Sequence, residues 1–110
     1  MAIEDARMFT GELTTVGRRT GLPRTVELRM VRLEGRFYVS SSAVAGKHWC
    51  RNMLQNPEVQ VRAGGESFAC RARLLDEEGL RRRVLSLRDS PPLLDRVVFE
   101  LTPEKKSFPA

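Results

Sequence analysis

Most of the chain alternates hydrophobic and polar residues, which is the pattern of β-strands with one buried face. In TVELRMVRL, Val26, Leu28 and Met30 fall on one face, and Glu27 and Arg29 fall on the other. Five further segments either alternate in the same way or are rich in threonine and valine, which favour strands. They predict strands at 11–16, 36–42, 58–63, 67–75 and 96–103. The pattern therefore predicts about six strands.

Short turns join these strands into hairpins. Glu34-Gly35 separates the second strand from the third, and Gly64-Gly65-Glu66 separates the fourth from the fifth. The predicted buried face of the fifth strand consists of Phe68, Cys70, Ala72 and Leu74. Runs of neighbouring hairpins predict a mostly antiparallel sheet that curls into a small barrel.

One helix is predicted between the third and fourth strands. It shows the four-residue spacings Trp49–Met53 and Cys50–Leu54, which are helical. Gly46 precedes it, and Asn56-Pro57 ends it because the residue before proline is disfavoured in the α region.

A second helix is predicted before the last strand. Asp76 is its expected N-cap, with Glu77 and Glu78 in the first turn, where the helix dipole favours acids. Its apolar face consists of Leu80, Val84 and Leu87, and Ser90-Pro91-Pro92 ends it. The fold class is therefore mainly β with two helices, and EKKSFPA forms a polar tail.

Size and charge narrow the functional classes. The 110 residues predict one domain spanning 1–110, and a small domain often completes a pocket by forming a homodimer. The net charge of +5, with 19 Lys+Arg against 14 Asp+Glu, suggests an anionic partner. The candidates are nucleic acid, a membrane surface, or a phosphorylated or carboxylated small molecule.

Cysteine usage and hydropathy indicate a cytoplasmic protein. Cys50 and Cys70 lack CxxC spacing and are expected to be reduced, buried thiols. The first ten residues do not resemble a signal peptide, and no apolar run approaches the roughly 18 residues of a membrane span. We therefore expect no integral membrane association.

The segment GRRTGLPR between the first two strands is the leading candidate for a binding site. Gly17 and Gly21 permit positive φ, which lets backbone N–H groups converge on an anion. Thr20 adds a hydroxyl, and permanent positive charge comes from Arg18, Arg19 and Arg24. A hairpin turn with solvated arginines is an equally good interpretation of these residues alone.

The segment after the third strand carries further candidates. Ser41 and Ser42 supply hydroxyls beside small residues, and Lys47 supplies a charge. Trp49 and Asn52 are three apart on one helical face, where tryptophan is more often a core residue than a ligand platform. Asn52 either bonds a ligand or faces water.

The remaining residues do not indicate self-sufficient catalysis. His48 is the single histidine, and one histidine with scattered cysteines does not predict a metal site. We assign no catalytic residue, so a cofactor would carry any chemistry. Arg81-Arg82-Arg83 is interpreted as a solvated helix face that pairs with Glu77 and Glu78.

Two motifs together resemble the deazaflavin-dependent nitroreductase family. Its pattern runs T-T-x-G-R-[KR]-[ST]-G-x-P-R, followed by W-x-x-N-L-x-x-N-P-x-V-x-V. The first half matches at Gly17, Arg18, Arg19, Thr20, Gly21, Pro23 and Arg24. The second half matches at Trp49, Asn52, Asn56, Pro57, Val59 and Val61, with Met53 at the usual leucine.

The resemblance implies a split β-barrel that binds the deazaflavin coenzyme F-420. By position, Arg18, Arg19 and Arg24, with Thr20, would hold the phosphate and acidic tail of the coenzyme. Ser41, Ser42 and Lys47 would line the phosphate and ring, and Trp49 and Asn52 would lie near the deazaflavin. The implied reaction is hydride transfer to a quinone, enone or nitro-type acceptor.

Three alternatives remain open at this point. Other split barrels bind FMN, so FMN is the alternative cofactor. A non-catalytic carrier of deazaflavin or FMN would need the same site. A basic nucleic-acid module is a weaker alternative, because only 6% of the residues are aromatic and available for base stacking. We expect no nucleic-acid partner.

Overall fold

Eight elements make up the fold. The structure, a computed structural model, describes residues 5–44 and 47–104. The elements are β1 (Arg7–Val16), β2 (Pro23–Leu33), β3 (Arg36–Ser41), α1 (His48–Gln55), β4 (Glu58–Ala63), β5 (Glu66–Leu74), α2 (Glu78–Arg88) and β6 (Val97–Pro103). The predicted strands and helices are confirmed. Gly46 and the tail from residue 105 lie outside the described residues.

The six strands close into a barrel in the order β1-β2-β3-β6-β5-β4, with every neighbouring pair antiparallel. β1 pairs with β2 along its full length and closes the barrel against β4 through Glu12, Leu13 and Thr14. Gly11 permits this closure, since a Cβ there would lie 3.0 Å from the Arg62 carbonyl oxygen and 2.9 Å from Phe9. The predicted antiparallel barrel is therefore confirmed.

The barrel interior holds the main core. Leu13, Phe37, Val61 and Leu101 are fully buried there, and Phe99 is nearly so. The alternation predicted for β2 also holds, with Met30 buried and Glu27 and Arg29 exposed. Burying such side chains is the dominant favourable contribution to folding.

A second core lies outside the barrel, under α2. Val31, Leu33 and Val98 of the sheet pack with Val84 and Leu85 of the helix. This layer explains one wrong prediction about the face of β5. Leu74 is 46% exposed, whereas Leu75 is 2% exposed, because α2 covers the outer face where the strand ends.

The predicted start of α2 is also displaced. Asp76 was expected as the N-cap, but Glu77 occupies that position without a side-chain capping bond. The Leu75 N–H donates to the Val98 carbonyl and continues the extended pairing past β5, and the Arg81 N–H donates to the Glu77 carbonyl. The helix therefore begins one residue later than predicted.

The triple arginine of α2 is only partly a solvated face. Arg82 and Arg83 are exposed as predicted. Arg81 is instead 16% exposed and donates to the backbone carbonyls of Leu94 and Arg96, at 2.7 Å each, and to Glu78 at 2.9 Å. The guanidinium thus supplies donors to carbonyls in the loop before β6.

A buried carboxylate on β6 had no signal in the sequence. Glu100 is 2% exposed and accepts hydrogen bonds from the Tyr38 hydroxyl at 2.9 Å and from Arg73 Nε at 2.8 Å. The register pairs Glu100 with Tyr38 on one side and Arg73 on the other, so the three side chains form one row. Burial and the Glu100 hydrogen bond raise the pKa of Tyr38 to about 12.

Both cysteines are free and buried, as predicted. Burial raises the pKa of the Cys50 thiol, and it raises the pKa of the Cys70 thiol to about 12. Because the thiolate is the reactive form, both thiols are protected by burial and by protonation.

We expect Arg81→Ala to lower the free energy of unfolding by about 1–3 kcal/mol, because the loop carbonyls lose their donors. The matched control is Arg82→Ala, an exposed arginine on the same helix, which should stay within about 0.5 kcal/mol of the parent protein. Urea denaturation of the three proteins measures both values. Equal effects of the two substitutions would contradict the role given to Arg81.

We expect neither thiol to react appreciably with Ellman's reagent at pH 8 while the protein is folded. Both thiols are fully buried, which denies the reagent access, and burial also raises the pKa of each thiol, which disfavours the reactive thiolate. Unfolding in guanidinium should release 2 reactive thiols per chain. Rapid labelling of the folded protein would show that a cysteine is accessible.

Candidate functional site

A cleft of about 630 Å³ lies between the β1–β2 loop and the first half of α1. It has the volume of a small-molecule or cofactor site. The described residues that line it are Thr15, Gly17, Arg18, Arg19, Thr20, Arg24, Thr25, Val26, Lys47, His48, Trp49, Arg51 and Asn52. The structure thus brings both sequence motifs to one place.

The β1–β2 loop is held by its own hydrogen bonds. The Gly17 N–H donates to the Leu22 carbonyl and the Gly21 N–H to the Gly17 carbonyl, both at 2.8 Å. Gly21 has a φ of +71°, the positive value that the sequence predicted for a glycine there. Gly17 is needed for a different reason, because a Cβ at that position would lie 2.9 Å from the Thr20 hydroxyl oxygen. These two N–H groups donate within the loop, so a backbone site for an anion would have to use other N–H groups, and it stays a prediction.

The side chain of Thr20 also stabilises the loop. Its hydroxyl oxygen accepts a hydrogen bond from the Leu22 N–H at 3.2 Å. A hydroxyl can accept one bond and still donate its own hydrogen. Thr20 therefore retains a donor beside the arginines.

Asn52 ties the loop to α1. It is 3% exposed, and its Oδ1 accepts from Arg18 Nη1 at 3.0 Å and from the Arg18 backbone N at 3.4 Å. Its Nδ2 donates to Thr15 Oγ1 at 3.1 Å. Thr15 is itself 1% exposed, so the end of β1, the loop and the helix meet at a buried polar cluster.

The cleft is strongly positive. Arginine or lysine supplies 5 of the described lining residues, and aspartate or glutamate supplies none of them. The pKa of Arg18 is lowered, first by desolvation and then by the positive charges of Arg51 and Arg19. The backbone N–H groups at the N-terminus of α1 add partial positive charge, and the first turn contains no acid that would offset it. The site therefore favours an anionic ligand.

Arg51 was missed in the sequence. It is exposed on α1 and lines the cleft together with Lys47, which lies four residues earlier. The available signal was this spacing, since residues four apart share one side of a helix. His48 also lines the cleft and is exposed.

Trp49 is both a core residue and a candidate ligand platform, the two roles that the sequence left open. It packs against the main core cluster and also lines the cleft. The indole is half-buried, so one part of the ring supports the barrel and another part remains available to a ligand.

The two serines lie elsewhere. Neither Ser41 nor Ser42 is among the described residues that line the cleft. Ser41 is buried, and its hydroxyl donates to the Ala43 carbonyl at 2.7 Å, while Ser42 is exposed. Residues 45 and 46 of the same segment lie outside the described residues. A cofactor role for the serines stays a prediction.

The described residues contain neither a metal-binding cluster nor a membrane-spanning helix. Within residues 5–44 and 47–104, no group of three or more His, Cys, Asp or Glu side chains is arranged to hold a metal ion. The described helices are all too short or too polar to cross a membrane.

Solved structures define the class of fold. This chain is similar to the heme storage protein HutZ of Vibrio cholerae, with 22% identity and a TM-score of 0.67, covering 88% of this chain and 82% of that one. It is also similar to a FAD-binding protein of Mesorhizobium loti, with 22% identity and a TM-score of 0.63, covering 87% and 81%. The fold is a split β-barrel, as the family resemblance implied.

A family model and a further solved structure identify the family. The chain is 25% identical to the F420-H2 dependent reductase FDR-A, with a TM-score of 0.66, covering 92% of this chain and 98% of that one. Residues 7–92 match the family model of the F420H(2)-dependent quinone reductases. The chain belongs to this family, and the resemblance found in the sequence is confirmed.

We expect Arg51→Glu to weaken the binding of pyrophosphate, used as a probe anion, by roughly 3- to 10-fold, because an attractive charge becomes repulsive. The control is Arg82→Glu, which changes the net charge equally on α2, outside the described lining. Isothermal titration at fixed ionic strength measures both. Similar losses in the two variants would mean that total charge, rather than the cleft, determines affinity.

Proposed function

We propose that this protein is a reductase that uses the reduced deazaflavin coenzyme F-420 to reduce a quinone, enone or nitro-type acceptor. The observation that carries the proposal is the cleft, where positive side chains converge and the described lining contains no carboxylate. The coenzyme is a polyanion with a phosphate and an acidic tail. Membership of the F420H(2)-dependent quinone reductase family supports this choice of ligand.

The residues present fit such a ligand. The pKa of Arg18 is lowered first by desolvation and then by the charges of Arg51 and Arg19, and a bound anion would offset these charges. Arg18, Arg19 and Arg24 would hold the phosphate and the acidic tail, with Thr20 donating its hydroxyl. Lys47 and Arg51 would hold anionic groups from the helix side. Arginine suits this role because its planar fork donates two bonds to one carboxylate or phosphate.

When bound, the reduced deazaflavin supplies a hydride. The chain would contribute orientation and the exclusion of water on one side. The half-buried Trp49 would form an apolar wall against the ring, and its packing on the barrel core would keep that wall rigid. We propose no general acid from the protein, and solvent would supply the proton that the reduced acceptor needs.

A carrier protein is the second candidate. The described lining residues include one imidazole, that of His48, and no tyrosine, cysteine or carboxylate that could transfer a proton. Tyr38, the single tyrosine, is buried and bonded to Glu100. Such a cleft would also suit a protein that binds deazaflavin or FMN without turnover. HutZ, a heme storage protein, has the same fold.

Cellular context and assembly are proposals of the same kind. We propose a cytoplasmic protein that acts as a homodimer, and one structure similar to this chain is described as a domain-swapped dimer. The nucleic-acid alternative loses support, because Arg81 of the triple arginine is occupied with backbone carbonyls.

The decisive test is to titrate the purified protein with oxidised F-420 and, separately, with FMN, following Trp49 and cofactor fluorescence. We expect micromolar binding of F-420 and much weaker binding of FMN. Arg24→Ala should weaken F-420 binding by roughly tenfold or more, through loss of a charge-assisted contact. The control Arg82→Ala should bind like the parent protein.

Turnover separates the two candidates. Reduced F-420 is mixed with a quinone, an enone or a nitroaromatic compound, and its oxidation is followed by absorbance. Protein-dependent oxidation with any acceptor supports the reductase, whereas binding without oxidation supports the carrier. Preference for FMN, or binding of neither cofactor, would overturn the choice of F-420.

A further inference from the structure

Asn52 is nearly inaccessible to any ligand of the cleft. It is 3% exposed, although it is counted among the lining residues. Both ends of its side-chain amide are already engaged, Oδ1 with Arg18 and Nδ2 with Thr15. Its partners lie 34 and 37 residues earlier in the chain, so these bonds join separate elements. A side chain bonded in this way can fix the positions of its partners, Arg18 and Thr15.

The orientation of the amide follows from those partners. Oδ1 faces two donors of one residue, the backbone N and Nη1 of Arg18. If the amide were reversed, its NH2 group would face these donors and both bonds would be lost. The bond to the Arg18 backbone N–H fixes the position of the loop, and the bond to Nη1 fixes the position of the Arg18 side chain. Both bonds are needed to define where the Arg18 charge lies.

We propose that Asn52 is a positioning residue that sets anion affinity through Arg18 and does not contact the ligand. The part concerning the ligand rests on the proposed function. The amide holds the guanidinium with a neutral oxygen, which leaves the positive charge available to an anion. A carboxylate in the same place would hold Arg18 equally well but would compensate its charge.

The first experiment needs no cofactor. Hydrogen exchange of the loop amides is compared in the parent protein, Asn52→Ala and Asn52→Asp. The control is Gln55→Ala, which removes an exposed amide side chain from the same helix. We expect Asn52→Ala to speed exchange at the Arg18 amide by about tenfold and the control to leave it unchanged. Unchanged protection in Asn52→Ala would overturn the proposal.

The aspartate variant separates geometry from charge. The Thr15 hydroxyl can rotate to donate to a carboxylate, so Asn52→Asp should keep the loop protected. Its affinity for F-420 should nevertheless fall by about tenfold, because Arg18 is then paired within the protein. Parent-like affinity in this variant would contradict the role given to the neutral oxygen. If Asn52→Ala does not fold, this variant carries the test.

A double-mutant cycle tests whether Asn52 acts through Arg18. We expect Arg18→Ala and Asn52→Ala each to weaken F-420 binding by about tenfold, and the double variant to be within about twofold of Arg18→Ala. If the two losses multiply, Asn52 acts independently of Arg18, and that result would overturn the proposal. The same cycle is run with pyrophosphate as a second probe.

The design separates failure of this proposal from failure of the proposed function. If the parent protein does not bind F-420, the proposed function fails, while the exchange experiment and the pyrophosphate cycle still decide the role of Asn52. If F-420 binds and the exchange pattern is unaffected by Asn52→Ala, the positioning role fails and the proposed function stands.

Discussion

Closure of the barrel through β1 is the constraint on which the rest of the structure depends. The strand pairs with β2 over its whole length but meets β4 only at Glu12, Leu13 and Thr14. Immediately after this contact, Thr15 is buried and bonded to α1. The β1–β2 loop, which is the arginine loop of this protein, begins two residues later at Gly17. The short ladder with β4 therefore sets the direction in which the loop leaves the barrel. A shift of one residue would reverse every side chain of β1 between core and solvent.

The cleft concentrates like charges, which is unfavourable for the folded protein without a ligand. At Arg18, desolvation lowers the pKa first, and the positive charges of Arg51 and Arg19 lower it further. Exposure to water limits the cost, because solvent screens charges at the surface. The folded chain thus retains a local tension that an anion would remove. Selection for tighter packing alone would not produce this arrangement of charges.

The sequence predicted the barrel well because two-residue alternation reports directly on a buried face, as Val26, Leu28 and Met30 illustrate. It predicted the arginine loop because glycine and arginine are visible locally. It failed where tertiary contacts decide the outcome. Glu100 alternates like any outward-facing polar residue, yet Tyr38 and Arg73 surround it across two strand pairings. The role of Arg81 was missed for the same reason, because the distant carbonyls of Leu94 and Arg96 determine it.

The short helix α1 divides its eight residues between two tasks. Cys50 and Met53 are buried in the barrel core, whereas Lys47, at the N-cap, and His48 and Arg51 point to the cleft and are exposed. Side chains that line the cleft are therefore largely separate from those that support the fold. In evolutionary terms, the charge and shape of this wall can change by single substitutions at little cost in stability. One barrel could in this way be adapted to different anionic ligands without any change in its core.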